Sequence, residues 1–140
     1  MHIALQIFHT AQCLEQAARR TFAPHGLTLA QFNVLNLLSD QPRGLCAKDL
    51  AGALIVDPSN ITGLLRRMAR DGLVRNLPNT TDRRQRIVAL TPAGRRKWRK
   101  ALGSYEANLR ELSAALPPGE AEAVGTVLDR LREKAAAMPM

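Results

Sequence analysis

Residues 57–91, DPSNITGLLRRMARDGLVRNLPNTTDRRQRIVALT, decide the fold. At about 100° per residue, Ile61, Leu64, Leu65 and Met68 converge on one face of a helix. Asp57 and Pro58 open that helix and Gly72 stops it near Asp71. Aspartate is a good N-cap, and proline suits the first helical position, where its missing N–H has no partner in any case. The opposite face carries Ser59, Asn60, Thr62 and Gly63 at its N-terminal end and Arg66, Arg67 and Arg70 further along. Strand character follows at residues 73–77 and 86–90, around a loop of Pro78, Asn79, Thr80, Thr81 and Asp82. The result is a hairpin with a charged tip, Asp82-Arg83-Arg84-Gln85-Arg86.

The division of side chains along this helix is what reading a major groove requires. Short polar groups at the N-terminal end can approach base edges; asparagine matches the adenine edge, and serine or threonine several bases. Arg66, Arg67 and Arg70 can reach phosphate or guanine. A short helix over residues 47–54 precedes it across a turn at Ile55 and Val56, which makes a helix-turn-helix. At the hairpin tip, Arg83, Arg84 and Arg86 would repel one another without a polyanionic partner. Such a tip suits phosphates beside a minor groove, or the groove itself, with Asp82 expected to hold an arginine extended.

Charge placement agrees. Residues 66–100 carry twelve Lys or Arg against Asp71 and Asp82, a local +10 in a chain whose net charge is +8. A block of this kind points to nucleic acid or a membrane surface. Arginine outnumbers lysine sixteen to four, and its two-pronged grip suits phosphate. No apolar run approaches the roughly 20 residues of a bilayer span. The N-terminal stretch lacks a basic leader, so a soluble, cytoplasmic protein without a membrane partner is expected. Cys13 and Cys46 do not make a disulfide framework. His2, His9 and His25 lack ligand spacing, and no hydrolase, metalloprotease or phosphate-loop motif occurs. Neither an enzyme nor a metal or other cofactor is expected.

The flanks are helical. Residues 3–22 place Ile3, Ile7, Leu14 and Ala18 on one stripe, ended by Pro24 and Gly26. Thr28 and Gln31 have capping-box spacing ahead of Leu29, Phe32, Leu35 and Leu38. After Thr91 and Pro92, Trp98, Leu102, Tyr105, Leu109, Leu112 and Leu116 recur at spacings of four and three, a coiled-coil-like seam that Pro117, Pro118 and Gly119 break. Val124, Leu128, Leu131 and Ala135 continue the rhythm in a last helix. These end helices carry more apolar stripe than 140 residues need. A two-fold dimer is therefore expected, with Ile3, Ile7, Leu14, Leu109, Leu112, Leu116, Val124, Leu128 and Leu131 at its interface.

The stretch from Gly26 to Gly94 resembles the MarR family of transcription regulators. The resemblance is carried by Leu27-Thr28-x-x-Gln31-Phe32, Lys48-Asp49-Leu50-Ala51 and Ser59-Asn60-Ile61-Thr62. It continues through Arg67-Met68-x-x-Asp71-Gly72-Leu73-Val74, Asp82-Arg83-Arg84 and Leu90-Thr91-x-x-Gly94. It implies a mainly α fold with a small β-hairpin wing: one domain over residues 1–140, a winged helix-turn-helix at 26–94, and dimerisation helices at 1–25 and 95–140. It implies that Ser59, Asn60, Thr62, Gly63, Arg66 and Arg67 lie on the recognition helix and Arg83 and Arg84 at the wing tip. The implied function is a homodimeric repressor or activator on a pseudo-palindrome in double-stranded DNA. Many relatives bind a small-molecule effector, for which Phe8, Gln12, Arg19, Phe32 and Trp98 are the candidate lining. Two alternatives are a redox-responsive regulator acting through Cys46 or Cys13 and a winged-helix RNA-binding protein. The chain departs from the family in having Cys46 where a Ser or Thr cap is usual, and Arg75 one place early.

Overall fold

The computed structural model of the chain describes residues 2–54 and 58–139. Ile55, Val56 and Asp57, expected to form the turn and the cap before the arginine-bearing helix, lie outside the described residues. The elements run α1 (Ile3–Phe22), a 3-10 turn (Ala23–His25), α2 (Leu29–Leu38), β1 (Leu45–Cys46), α3 (Ala47–Leu54) and α4 (Pro58–Arg70). They continue as β2 (Val74–Leu77), β3 (Ile87–Leu90), α5 (Pro92–Ala114) and α6 (Glu120–Ala136). Two compact units divide the chain at Tyr105 and Glu106. The fold is mainly helical with one small sheet, and no helix is long and apolar enough to cross a membrane among the described residues.

Local chemistry sets the boundaries. At the start of α2, Thr28 Oγ1 accepts the Gln31 N–H at 3.1 Å while Gln31 Oε1 accepts the Thr28 N–H at 3.0 Å, a complete capping box. α4 ends at Gly72, whose φ of 76° is left-handed. The Gly72 N–H donates to Ala69 O at 3.0 Å and the Leu73 N–H to Met68 O at 2.9 Å, the paired bonds of a Schellman stop. α3 is capped by sulfur: the Asp49 N–H donates to Cys46 Sγ at 3.4 Å. The Cys46 thiol is thus engaged in structure, while Cys13 lies exposed on α1.

The first unit is built around an apolar cluster. Phe22 of α1 stacks on Phe32 of α2 with ring centroids 4.2 Å apart, and Tyr105 closes on both at 5.1 and 5.6 Å. Phe32, expected to line a ligand pocket, is instead buried to 2% exposure. It lies on the same stripe as Leu35 and Leu38, and that stripe is the core face of α2. Leu50 of α3 and Ile61, Leu65 and Met68 of α4 fill the rest. The seam expected along α5 divides. Trp98, Leu102 and Tyr105 pack against this core, with Trp98 Nε1–H donating to Asn36 Oδ1 at 3.0 Å, whereas Leu109 and Leu112 are exposed and Leu116 lies beyond the end of the helix. In the second unit, Val124 and Leu131 of α6 are exposed and Leu128 is half-buried. On α1, Ile3 and Leu14 are exposed and Ile7 half-buried.

The sheet has the order β1-β3-β2, all antiparallel. The hairpin register runs from Val74 opposite Leu90 to Leu77 opposite Ile87. β1 was not expected: its pairing of Leu45 with Val88 and Cys46 with Ile87 is too short to carry a period-two pattern.

Where the hairpin returns, Thr91 ties three elements together. Its N–H donates to Leu73 O, its Oγ1 donates to Gly72 O at 2.6 Å, and the same oxygen accepts the Gly94 N–H at 2.9 Å. α5 then crosses so close that a Cβ on Gly94 would sit 2.0 Å from Leu73 O. This accounts physically for the Leu90-Thr91-x-x-Gly94 spacing.

Two substitutions test these contacts. Alanine normally stabilises a helix relative to glycine. Gly94→Ala should instead cost about 2–3 kcal/mol in urea unfolding through overpacking against backbone; a gain would show that α5 can move away freely. Cys46→Ser should raise stability by about 0.5–1 kcal/mol, because a hydroxyl oxygen is the better cap acceptor. A lower unfolding midpoint would show that the packing of the thiol outweighs its capping.

Candidate nucleic-acid interface

α4 owes its orientation to its buried side. Ile61 and Met68 are fully buried and Leu64 and Leu65 nearly so. With that face fixed, Ser59, Asn60, Thr62, Arg66, Arg67 and Arg70 are exposed and Gly63 half-exposed. The predicted reading set is therefore on the surface, but it is spread around the exposed sides of the helix. Ser59, Gly63, Arg66 and Arg70 lie opposite the buried stripe at helical spacing. Asn60 and Arg67, seven residues apart, lie on one flank and line a cleft of about 480 Å³ with α1 and α2.

That cleft has an apolar floor of Leu29, Leu54, Ile61 and Leu64. Its polar rim includes Glu15, Arg19, Thr28 and Asn33. Arg19 and Glu15 sit 3.8 Å apart, both largely solvent-exposed, so their attraction is weak. Of the candidate ligand residues, Arg19 alone is among the residues lining it. Phe8 is 69% exposed on α1, Gln12 is also exposed, and Trp98 is bound to α2 through Asn36.

The wing is the hairpin β2–β3 with its connecting residues 78–86. Arg83, Arg84 and Arg86 are exposed and, with Leu77, Pro78, Asn79, Thr80 and Gln85, surround a concavity of about 620 Å³. Asp82 does not hold a guanidinium as expected: its Oδ1 accepts the backbone N–H of Arg84 at 3.0 Å. Its carboxylate shapes the tip and leaves the arginine heads outside that bond. Among the described residues the ion pairs are Arg19–Glu15 and Arg132–Asp129, and neither involves an α4 or wing arginine. Asn79, which in sequence is only one of several loop residues, makes three hydrogen bonds within this tip. An asparagine ahead of an arginine-rich turn is the one sequence signal that could have found it.

The chain is similar to known proteins in sequence and in fold. A family model described as MarR family matches residues 27–85. The chain is 39% identical over 95 residues to the transcriptional activatory protein BadR of Rhodopseudomonas palustris, an alignment covering 66% of this chain and 54% of that protein. It is 36% identical over 104 residues to the homoprotocatechuate degradative operon repressor of Escherichia coli, covering 71% of this chain and 69% of the repressor. The chain thus spans about half the length of the first and two thirds of the second. The transcriptional regulator MosR of M. tuberculosis, solved in complex with DNA, matches with a TM-score of 0.76 and 26% identity over 99% of this chain and 100% of its own. CouR of Rhodococcus jostii, solved with p-coumaroyl-CoA bound, matches with a TM-score of 0.81 and 25% identity over 99% of this chain and 94% of its own.

Proposed function

The chain belongs to the MarR family of DNA-binding transcription regulators, and on that footing we propose that it works as a homodimer on a pseudo-palindromic operator. The observation that carries this reading is the outward sector of α4, where Ser59, Gly63, Arg66 and Arg70 stand opposite a stripe that the core holds fixed. In this reading α4 enters the major groove N-terminus first, with Ser59, Asn60 and Thr62 near base edges and Arg66, Arg67 and Arg70 on guanine or phosphate. The wing arginines Arg83, Arg84 and Arg86 contact the flanking backbone or minor groove. The DNA-bound MosR structure supports this use of the fold. Two copies place their α4 helices in successive major grooves, about 34–36 Å apart. Each unit offers exposed apolar side chains to a second copy: Ile3 and Leu14 on α1 in the first, and Leu109, Leu112, Val124 and Leu131 in the second.

The cleft beside α4 supports an effector. Arg19 and Arg67 over a leucine-rich floor suit an anion carried on an apolar, aromatic body. The p-coumaroyl-CoA found on CouR supports the same class. Because Asn60 and Arg67 belong to α4, a ligand there bears directly on the reading helix and favours one of its arrangements over another. Of two relatives, one is an activatory protein and the other a repressor, so both signs of control occur among proteins similar to this chain.

Selection of the purified chain against a random duplex library tests the whole reading. A two-fold symmetric site with half-sites one helical turn apart is expected; an asymmetric single site would exclude the symmetric dimer, and no enrichment would exclude sequence-specific binding. Arg84→Ala should reduce the slope of log affinity against log salt by about one unit if it meets one phosphate. An unchanged slope removes Arg84 from the contacts. Aromatic carboxylates and their coenzyme A thioesters should release the DNA, at concentrations about tenfold higher for Arg19→Ala if Arg19 holds the anion. Equal release midpoints would remove Arg19 from the site.

A further inference from the structure

We infer that Asn79 is the positioning residue of the wing, the side chain that holds the tip in the shape in which its arginines meet DNA; this rests on the reading of the wing as a DNA contact. The loop between β2 and β3 is longer than the two to five residues of an ordinary hairpin connection. It also gathers three like charges at its tip, which favour an open, disordered loop. One amide group counters both tendencies. Asn79 Oδ1 accepts the N–H of Thr81 at 3.1 Å and that of Asp82 at 3.0 Å. Asn79 Nδ2 donates to Gln85 O at 3.2 Å, on the returning limb of the loop. The outgoing and returning limbs are therefore joined through a single side chain.

The tip is then completed by Asp82, whose Oδ1 accepts the Arg84 N–H and whose carbonyl accepts the Gln85 N–H at 3.2 Å. Asn79 sets the backbone of Asp82, and Asp82 sets that of Arg84. No guanidinium takes part in this chain of bonds. Both Arg83 and Arg84 are exposed, on a stretch of backbone that these bonds hold. Pre-ordering a loop raises affinity because less freedom is lost on binding. The task needs an amide. A carboxylate at position 79 would accept both N–H bonds but could not donate to Gln85 O, a hydroxyl would be too short to join the limbs, and alanine would do neither.

The experiment compares four full-length proteins on a mixed-sequence DNA duplex at low salt: wild type, Asn79→Ala, the double variant Arg83→Ala/Arg84→Ala, and the triple variant. Amide hydrogen exchange is followed at Thr81 and Asp82. Asn79→Ala should bind about tenfold more weakly at an unchanged unfolding midpoint, through lost pre-organisation. Exchange at both amides should speed up, and the triple variant should bind no worse than the double. Asn79→Ser keeps a short acceptor and should fall between wild type and alanine; it carries the comparison should the alanine variant fail to fold. Wild-type affinity in Asn79→Ala overturns the inference. So does a full additional loss in the triple variant, which would mean that Asn79 touches DNA itself or acts elsewhere. If the double variant binds as wild type, the wing is not a DNA contact and the inference falls with that reading, an outcome distinct from the other two.

Discussion

Burial of one face of α4 is the constraint on which the rest depends. A helix of thirteen residues is marginal in water by itself, and this one includes Gly63, Thr62 and Asn60, none a strong helix former. Ile61, Leu64, Leu65 and Met68 hold it against the core, contributing at most about 6–12 kcal/mol at the usual value per buried apolar side chain. The same burial orients the exposed side. A helix rotated by one residue would carry Thr62 and Arg66 toward the core and lift leucine to the surface, so packing energy selects the orientation that displays the polar groups.

The second unifying contact lies at the foot of the hairpin. The carbonyls of Gly72 and Leu73, freed by the left-handed end of α4, are taken by Thr91 at the start of α5. Gly94 is bare because its α-carbon lies against one of those carbonyls. α4, the wing and α5 thus meet at one cluster of backbone groups. A displacement of α5 has a direct route to the base of the wing through Thr91, with no long chain of side chains in between.

The cleft along the flank of α4 gives the helix a second face with chemical content. Asn60 and Arg67 have the residue types of DNA readers, yet they stand with Arg19 and Asn33 over an apolar floor. One helix therefore carries an outward sector of Ser59, Arg66 and Arg70 and a lateral sector shared with α1 and α2. Both sectors belong to one helix only three to four turns long.

Much of this is local and was legible in the sequence. The bounds of α1, α2 and α3, the capping box of Thr28 and Gln31, the glycine stop of α4 and the sulfur cap of Cys46 all follow from residues within a few positions of one another, where periodicity and capping chemistry act directly. The amphipathic split of α4 was equally plain, because one turn of helix repeats it. What tertiary structure decided involves partners far apart in the chain: the pairing of β1 with β3, the stacking of Phe32 on Phe22 with Tyr105 against both, the lodging of Asn60 and Arg67 beside α1 and α2, and the division of the α5 seam at Tyr105. Even within the wing, the spelling Asn-Thr-Thr-Asp allows many loops, and only closure by the paired strands brings Gln85 O to the Asn79 amide. Short-range rules fix which side chains an element can offer. Which of them meet a neighbour depends on where the rest of the chain has packed.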